Sequence, residues 1–101
     1  MSKDPKRKEH LLDAALEIAS RPGRHYQSLS SEEIATRAGC ARSLLNYYWH
    51  TKTQRSRDVM RAAVRRRNLA VVAQGLAAAD PHAKKAPAEV KRHAVEAMVD
   101  E

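Results

Sequence analysis

One stretch of the chain decides its fold: residues 30–52, which read SSEEIATRAGCARSLLNYYWHTK. Ser30 suits the N-cap of a helix, since its hydroxyl accepts a hydrogen bond from a backbone N–H of the first turn. Glu33, three residues later, completes a capping box, and Gly39 permits the left-handed backbone that ends a helix. A second helical run follows over residues 41–48. This order predicts a helix-turn-helix, the motif whose second helix enters the major groove of DNA.

The composition indicates one small all-helical protein. The chain has 101 residues, 43% of them hydrophobic, and it contains no Phe. It has no apolar run of about 18 residues that would span a membrane, and the amino terminus lacks the apolar segment of a secretory signal. The single cysteine, Cys40, excludes an internal disulfide and fits a reducing cytoplasm. We therefore expect a cytoplasmic protein with no membrane partner.

The positive charge is concentrated in the first two-thirds of the chain. The net charge is +7; residues 1–67 hold 15 Lys and Arg against 7 Asp and Glu, whereas residues 68–101 hold 4 against 5. This distribution favours a polyanionic partner for the first part and a different role for the last third. A basic surface that merely keeps the protein in solution is the alternative.

The helical spacing of apolar residues predicts helices on both sides of the motif. Asp4 is expected to cap the first helix, and the arm before it, residues 1–3, either contacts DNA or is disordered. We expect Tyr26 to belong to the core and Gly75 to weaken a helix without breaking it. The predicted helices are Pro5–Ser20, Ser31–Ala38, Ala41–Tyr48, one long helix from Thr51 to about Ala79, and Pro87–Val99, with a linker over His82–Ala86.

Two blocks within the motif resemble the DNA-binding domain of the tetracycline-repressor (TetR) family. They are IATRAG, residues 34–39, and LNYYWHTK, residues 45–52. The family typically has an Ile-Ala-x-x-Ala-Gly helix, then an Ile-Asn-Tyr-His-Phe type of block and a Lys three residues on. The resemblance covers about residues 6–64. It implies a three-helix DNA-binding domain over residues 1–50, followed by a dimerisation region over residues 51–101.

The third helix is predicted to read DNA with its polar face. Leu45 and Trp49 are expected in the core, which leaves four residues for the bases. Arg side chains pair bidentately with guanine, and Asn side chains with adenine. The resemblance also implies phosphate contacts by Tyr48 and Lys52, and Ser31 is expected to meet a phosphate because it lies at the positive N-terminal end of its helix. The predicted base contacts are Arg42, Ser43, Asn46 and Tyr47, and the predicted phosphate contacts are Ser31, Tyr48 and Lys52.

Three positions depart from the family pattern. Ala41 stands where the family has a Ser or Thr N-cap, which removes a cap worth about 1 kcal/mol. Cys40 replaces a Val in the turn. Arg55 stands where the family has a core Leu, which leaves open how the fourth helix begins. The run at residues 65–67, three consecutive arginines, is either a solvated face or a second phosphate-contacting surface.

The sequence shows no catalytic constellation and no metal site. It contains no glycine-rich phosphate loop, no nucleophile paired with a base, and no His or Cys pair at metal-ligand spacing. We expect no enzyme activity and no cofactor. Two helices after the motif are too few to enclose a drug-sized cavity of roughly 300–1,000 Å³. We therefore expect a short form of the family, with no internal ligand pocket and no small-molecule effector, unless the chain is a fragment.

The resulting expectation is a sequence-specific DNA-binding transcriptional regulator. It would act as a repressor, binding a palindromic operator in double-stranded DNA as a homodimer, on the bacterial nucleoid or on phage or plasmid DNA. The first alternative is a small structural subunit, such as a phage packaging or nucleoid protein with weak sequence specificity. The second is a protein-interaction module whose last helices dock on another protein.

Overall fold

The computed structural model describes residues 5–99, and this part of the chain forms helices connected by short turns, without a strand. The predicted all-α class is thereby confirmed. Helices α1, α2 and α3 form the helix-turn-helix unit, and α4 to α7 follow it. Their bounds are α1 Pro5–Ala19, α2 Ser31–Ala38, α3 Arg42–Tyr48, α4 Lys52–Arg65, α5 Leu69–Ala77, α6 Pro81–Lys84 and α7 Ala88–Val99.

The first three helices begin and end within one residue of their predicted bounds. The capping box at the start of α2 is present: the backbone N–H of Glu33 donates to Ser30 Oγ, and the Ser30 N–H donates to the Glu33 carboxylate. Gly39 ends α2 with φ 73°. The predicted cap Asp4 and the arm at residues 1–3 lie outside the described residues.

The predicted long helix from Thr51 to Ala79 is wrong, because the chain turns between α4 and α5. Arg67 adopts a left-handed conformation with φ 53°, and the Asn68 N–H donates to the Ala63 carbonyl. This is the bonding pattern of a helix C-terminus. The Asn68 side chain then accepts from the Val71 N–H and caps α5. An Asn that bonds to nearby backbone competes with continuation of the helix.

The predicted linker over His82–Ala86 is also wrong in part, because it contains most of α6. Asp80 caps this short helix by accepting from the N–H groups of His82 and Ala83, and Pro81 occupies its first position. Ala83 is fully buried and lies against α5, while α6 as a whole packs on α4 and α5. The segment is therefore part of the core.

Gly75 is required where α5 meets its neighbours. A Cβ placed on this residue would lie 2.4 Å from Met60 Cε and 2.8 Å from Ala83 Cβ, closer than real atoms approach. The glycine does not break α5, as predicted. It allows α4, α5 and α6 to approach closely.

Helix α7 packs mainly against α5 through one apolar face. Val90 and Ala94 on that face are buried, whereas Ala97 and Met98 are exposed. The buried residues of α1 to α7 form one continuous cluster. Because the core is continuous, the predicted domain boundary at residue 50 would separate two functions and not two hydrophobic cores. That boundary stays a prediction.

Polar contacts connect the loop after α1 to the last helices. Tyr26 is 2% exposed, which confirms it as a core residue, and its hydroxyl donates to Asp80 Oδ2 at 2.8 Å. Burial and this bond raise the pKa of Tyr26 above its ordinary value. Gln74 accepts from the Tyr26 N–H and donates to the carbonyls of Ala19 and Arg24. These bonds join α5 and α6 to the helix-turn-helix unit.

The three consecutive arginines at residues 65–67 all form intramolecular ion pairs. They hold the turn after α4 against α1 and α7. The pairs are Arg65–Glu9 at 3.1 Å, Arg67–Glu89 at 2.6 Å, and Arg66 with both Glu9 and Asp13. All three arginines are exposed, as a solvated face requires, and their charges are paired within the chain; a phosphate contact by this run stays a prediction.

Candidate nucleic-acid interface

Helix α3 presents a polar face to solvent and an apolar face to the core. Leu45 is 1% exposed and Trp49, just after the helix, is 5% exposed, so both are core residues as predicted. The predicted base contacts Arg42, Ser43 and Asn46 are exposed, and Tyr47 is half-buried against the core. The structure therefore brings the four predicted base contacts to one accessible side of a single helix.

The end of α3 is fixed by a partly buried hydrogen bond to α4. The indole N–H of Trp49 donates to Asp58 Oδ2 at 2.8 Å, and Lys8 from α1 lies 3.1 Å from the same oxygen. Burial by itself would raise the pKa of Asp58, but the hydrogen bonds from Trp49 and Lys8 outweigh it and hold the pKa below the usual value. The charged carboxylate thus joins α1, α3 and α4.

The start of α3 has no side-chain cap. Ala41 occupies the N-cap position and makes no side-chain hydrogen bond there, as its sequence predicts. Leu44 N–H bonds to the Ala41 carbonyl. The first turn of α3 therefore carries backbone N–H groups with no capping oxygen, next to the exposed Arg42 and Ser43.

The predicted phosphate contacts lie in different environments. Lys52 is exposed at the start of α4, and Ser31 is half-buried at the start of α2. Tyr48 is only 9% exposed, and its ring packs beside those of Tyr47 and Trp49. A phosphate contact by Tyr48 stays a prediction that depends on this small exposed fraction.

Comparison with known proteins matches residues 11–54 to the family model of bacterial regulatory proteins, tetR family. These residues form a TetR-family DNA-binding domain. The match runs from α1 through the helix-turn-helix to the first turn of α4. No curated protein and no solved structure matches the chain. Helices α5, α6 and α7 lie outside the matched segment.

A small polar pocket in the TetR-family domain gathers three of the predicted contacts. It has a volume of about 190 Å³ and lies between the starts of α2 and α4 and the end of α3. Ser31, Asn46 and Lys52 line it, together with Arg55. The sequence had shown Arg55 only as a departure from the family pattern, not as part of a site.

Arg7 is a second residue beside the predicted contacts that the sequence did not reveal. It lines a shallow cavity of about 460 Å³ with Cys40, Ser43 and Tyr47. Arg7 is exposed on α1, so it adds a positive charge beside the predicted base contacts. Its position depends on how α1 crosses α3, which residue spacing does not reveal.

Cations of this surface remain available to an anion. Within residues 5–99, neither Arg7, Arg42 nor Lys52 forms an ion pair with a described carboxylate. In contrast, Arg37 pairs with Glu17, and the residues 65–67 pair with α1 and α7. A face with unpaired cations beside polar side chains is suited to a nucleic-acid backbone.

The described part of the chain has a surface groove of small-molecule size, which is open to solvent and leaves the expectation of no internal ligand pocket untested. A groove of about 600 Å³ lies between the loop after α1 and helices α5 and α7. Ala73 and Met98 contribute to its apolar side, and Arg21 and His25 to its rim. Its volume falls in the range of small-molecule sites, because the loop after α1 supplies a wall that the sequence argument did not count.

No helix of residues 5–99 is both long enough and apolar enough to cross a membrane. Among the same residues, no group of three His, Cys, Asp or Glu side chains converges in a way that could hold a metal ion.

Proposed function

We propose that this protein is a sequence-specific DNA-binding transcriptional regulator, a repressor that occupies a palindromic operator in double-stranded DNA. The observation that carries the proposal is the exposed polar face of α3 in a TetR-family domain. Arg42 and Asn46 are four residues apart, so they lie on the same side of the helix. This spacing fits readout of neighbouring bases, Arg42 on guanine and Asn46 on adenine.

Ser43 and Tyr47 complete the proposed base-reading face. The Ser43 hydroxyl can donate to or accept from a base edge, and the Tyr47 ring can pack on a thymine methyl group. Ser31, Tyr48 and Lys52 are proposed to hold the adjacent phosphates, which set the orientation of α3 but carry no sequence information. The protein would act in the cytoplasm, on nucleoid, phage or plasmid DNA, without a catalytic step or cofactor.

We propose a homodimer formed through α7. Val95 and Met98 are the large hydrophobic side chains that stand exposed among the described residues, at 45% and 42%, and their spacing puts them on one face of the helix. Arg92 and Glu96 flank them with opposite charges. The two charges lie 4.0 Å apart within the same helix, so they border the apolar patch without adding a net charge to it. The dimer would set the two α3 helices about 34–36 Å apart on successive major grooves.

Selection of bound sequences from a random pool of duplex DNA tests the reading function. We expect enrichment of a palindrome with half-sites about one helical turn apart. Arg42→Ala and Asn46→Ala should each lose about 1–3 kcal/mol on the selected duplex and much less on random duplex. Lys85 is an exposed cation outside the candidate interface, so Lys85→Ala is the charge-matched control for Arg42→Ala. Equal losses on both duplexes would instead favour the structural, weakly specific DNA-binding subunit.

The oligomeric state tests the dimer. The molar mass from light scattering should be twice that of one chain, and Val95→Glu combined with Met98→Glu should give monomers with weaker operator binding. A wild-type chain that stays monomeric at micromolar concentration would refute the dimer, and one that also ignored DNA would favour the protein-interaction module.

A further inference from the structure

A buried arginine forms the floor of the small polar pocket between α2, α3 and α4. Arg55 is 7% exposed. Its Nη1 donates to Ser31 Oγ at 2.7 Å, and its Nη2 donates to the Leu29 carbonyl at 2.5 Å. The guanidinium therefore crosses from α4 to the start of α2, and both of its acceptors are neutral.

The charge of Arg55 has no contact counter-ion among residues 5–99. None of the ion pairs within 4 Å in that range includes it. The nearest acidic influence is Glu33, which already accepts from the Ser30 N–H and pairs with Arg24. Burying a charge without a partner costs several kcal/mol in proteins. Folding alone does not require a cation here, since an apolar side chain can fill such a position.

The pocket above Arg55 is suited to one anion. Lys52 and Arg55 line it with Ser31 and Asn46, and its lining residues include no Asp or Glu. The starts of α2 and α4 both border it, and helix N-termini carry partial positive charge. Its volume of about 190 Å³ accommodates a phosphate group rather than a larger ligand.

We infer that Arg55 supplies the buried charge of an anion pocket that receives one phosphate of the DNA backbone. This inference rests on the proposed DNA-binding function and adds to it a residue beyond the family match, which ends at residue 54. In the low-dielectric floor of the pocket, the guanidinium attracts a phosphate more strongly than an exposed cation does. Arg55 thereby also holds Ser31, a proposed phosphate contact, in position.

The salt dependence of DNA binding tests the inference. Each phosphate neutralised adds about 0.9 to the slope of log K against log salt. Arg55→Leu should reduce that slope by about 0.9 per bound chain, on operator and random duplex alike. The affinity advantage of wild type over the variant should then shrink about 3.5-fold between 50 and 200 mM salt. Arg55→Lys, which keeps the charge, should restore most of the slope.

Controls separate a phosphate contact from a structural role. Urea unfolding and circular dichroism establish that Arg55→Leu is folded; if it is not, Arg55→Met replaces it. A folded variant with an unchanged slope would overturn the inference and leave Arg55 as a structural link. Lys85→Ala, which also removes one charge, should leave the slope unchanged.

A second measurement does not depend on DNA. Titration of wild type with inorganic phosphate should shift the NMR amide signals of Ser31 and Lys52, and Arg55→Leu should abolish the shifts. If wild type failed to bind DNA but showed these shifts, the proposed function would fail and the anion pocket would stand. If neither signal moved, the anion pocket itself would be refuted.

Discussion

Removal of the Asp58 carboxylate should loosen the end of α3. The Asp58 side chain is 19% exposed, accepts the Trp49 indole N–H at 2.8 Å, and lies 3.1 Å from Lys8. A hydrogen bond to a charged group contributes about 1.5–3 kcal/mol, and a half-exposed ion pair contributes about 0.2–1 kcal/mol. Asp58→Ala should therefore lower the free energy of unfolding by about 2–4 kcal/mol. Asp58→Asn, which keeps an acceptor for Trp49, should cost about 1 kcal/mol.

Acid should remove the same contribution from the wild type. The pKa of Asp58 is lower in the folded protein than its ordinary value of 3.8, so its contribution is complete above that pH. It is lost as the pH falls through the folded-state pKa, since the protonated side chain no longer pairs with Lys8. The difference in unfolding free energy between wild type and Asp58→Asn should accordingly be constant near neutral pH and shrink below pH 3.8.

Urea unfolding followed by tryptophan fluorescence measures both effects. Trp49 is the one tryptophan in the chain, so the signal reports directly on the group that bonds to Asp58. With a urea m-value of about 1–3 kcal/mol/M, Asp58→Ala should lower the midpoint by about 1–2 M. A midpoint within about 0.3 M of the wild type, or a difference independent of pH, would refute the assigned role of this carboxylate.

Three further substitutions test the packing of α5 and α6 by urea unfolding. Gly75→Ala should lower the free energy of unfolding by about 1 kcal/mol, because overpacking against Ala83 outweighs the better helix propensity of alanine. Adding Ala83→Gly to this variant should recover part of the loss. An unchanged urea midpoint for Gly75→Ala would contradict the close approach of α5 and α6. Ala79→Gly should stabilise by about 0.5–1 kcal/mol because Ala79 has φ 59°, and a loss would contradict that conformation. Tyr26→Phe should cost about 1–2 kcal/mol through the lost bond to Asp80, whereas no cost would show that water replaces it.

The first half of the fold could be predicted from the sequence because residues near each helix end determine where that helix begins or ends. The capping box at Ser30 and the left-handed Gly39 act within a few residues, and both were recognisable. The polar face of α3 followed from helical periodicity around Leu45 and Trp49. The TetR resemblance, which the family match confirms, rested on the same stretch.

The second half could not be predicted in detail because its turns lack the usual residues. Arg67 and Ala79 adopt left-handed conformations that sequence reasoning assigns to glycine. Arg67 pairs with Glu89 of α7, and the packing of α7 on α5 brings these two residues together. Apolar periodicity continues across the turn at Arg67, so it indicated one helix where there are two.

The sequence indicated candidate contacts on α3 by spacing, Lys52 by the family resemblance and Ser31 by its place at a helix start, and their role stays a prediction. The exposed face of α3 could be deduced from spacing, whereas Arg7 and Arg55 join the site through the crossing of separate helices. Arg55 occupies a position that the family pattern gives to a core Leu, and a long-range contact with Leu29 and Ser31 makes its burial possible. Such contacts belong to tertiary structure and leave no local signal.

The side-chain amide of Gln74 makes it difficult to transplant the DNA-reading part into a chimeric regulator. A hybrid that stopped after α4 would strip hydrogen-bond partners from the Tyr26 amide and from the carbonyls of Ala19 and Arg24. Each of those groups would then need a hydrogen bond from water in a partly exposed core. Swaps of operator preference are thus better made by exchanging single side chains on α3 than by cutting and joining segments.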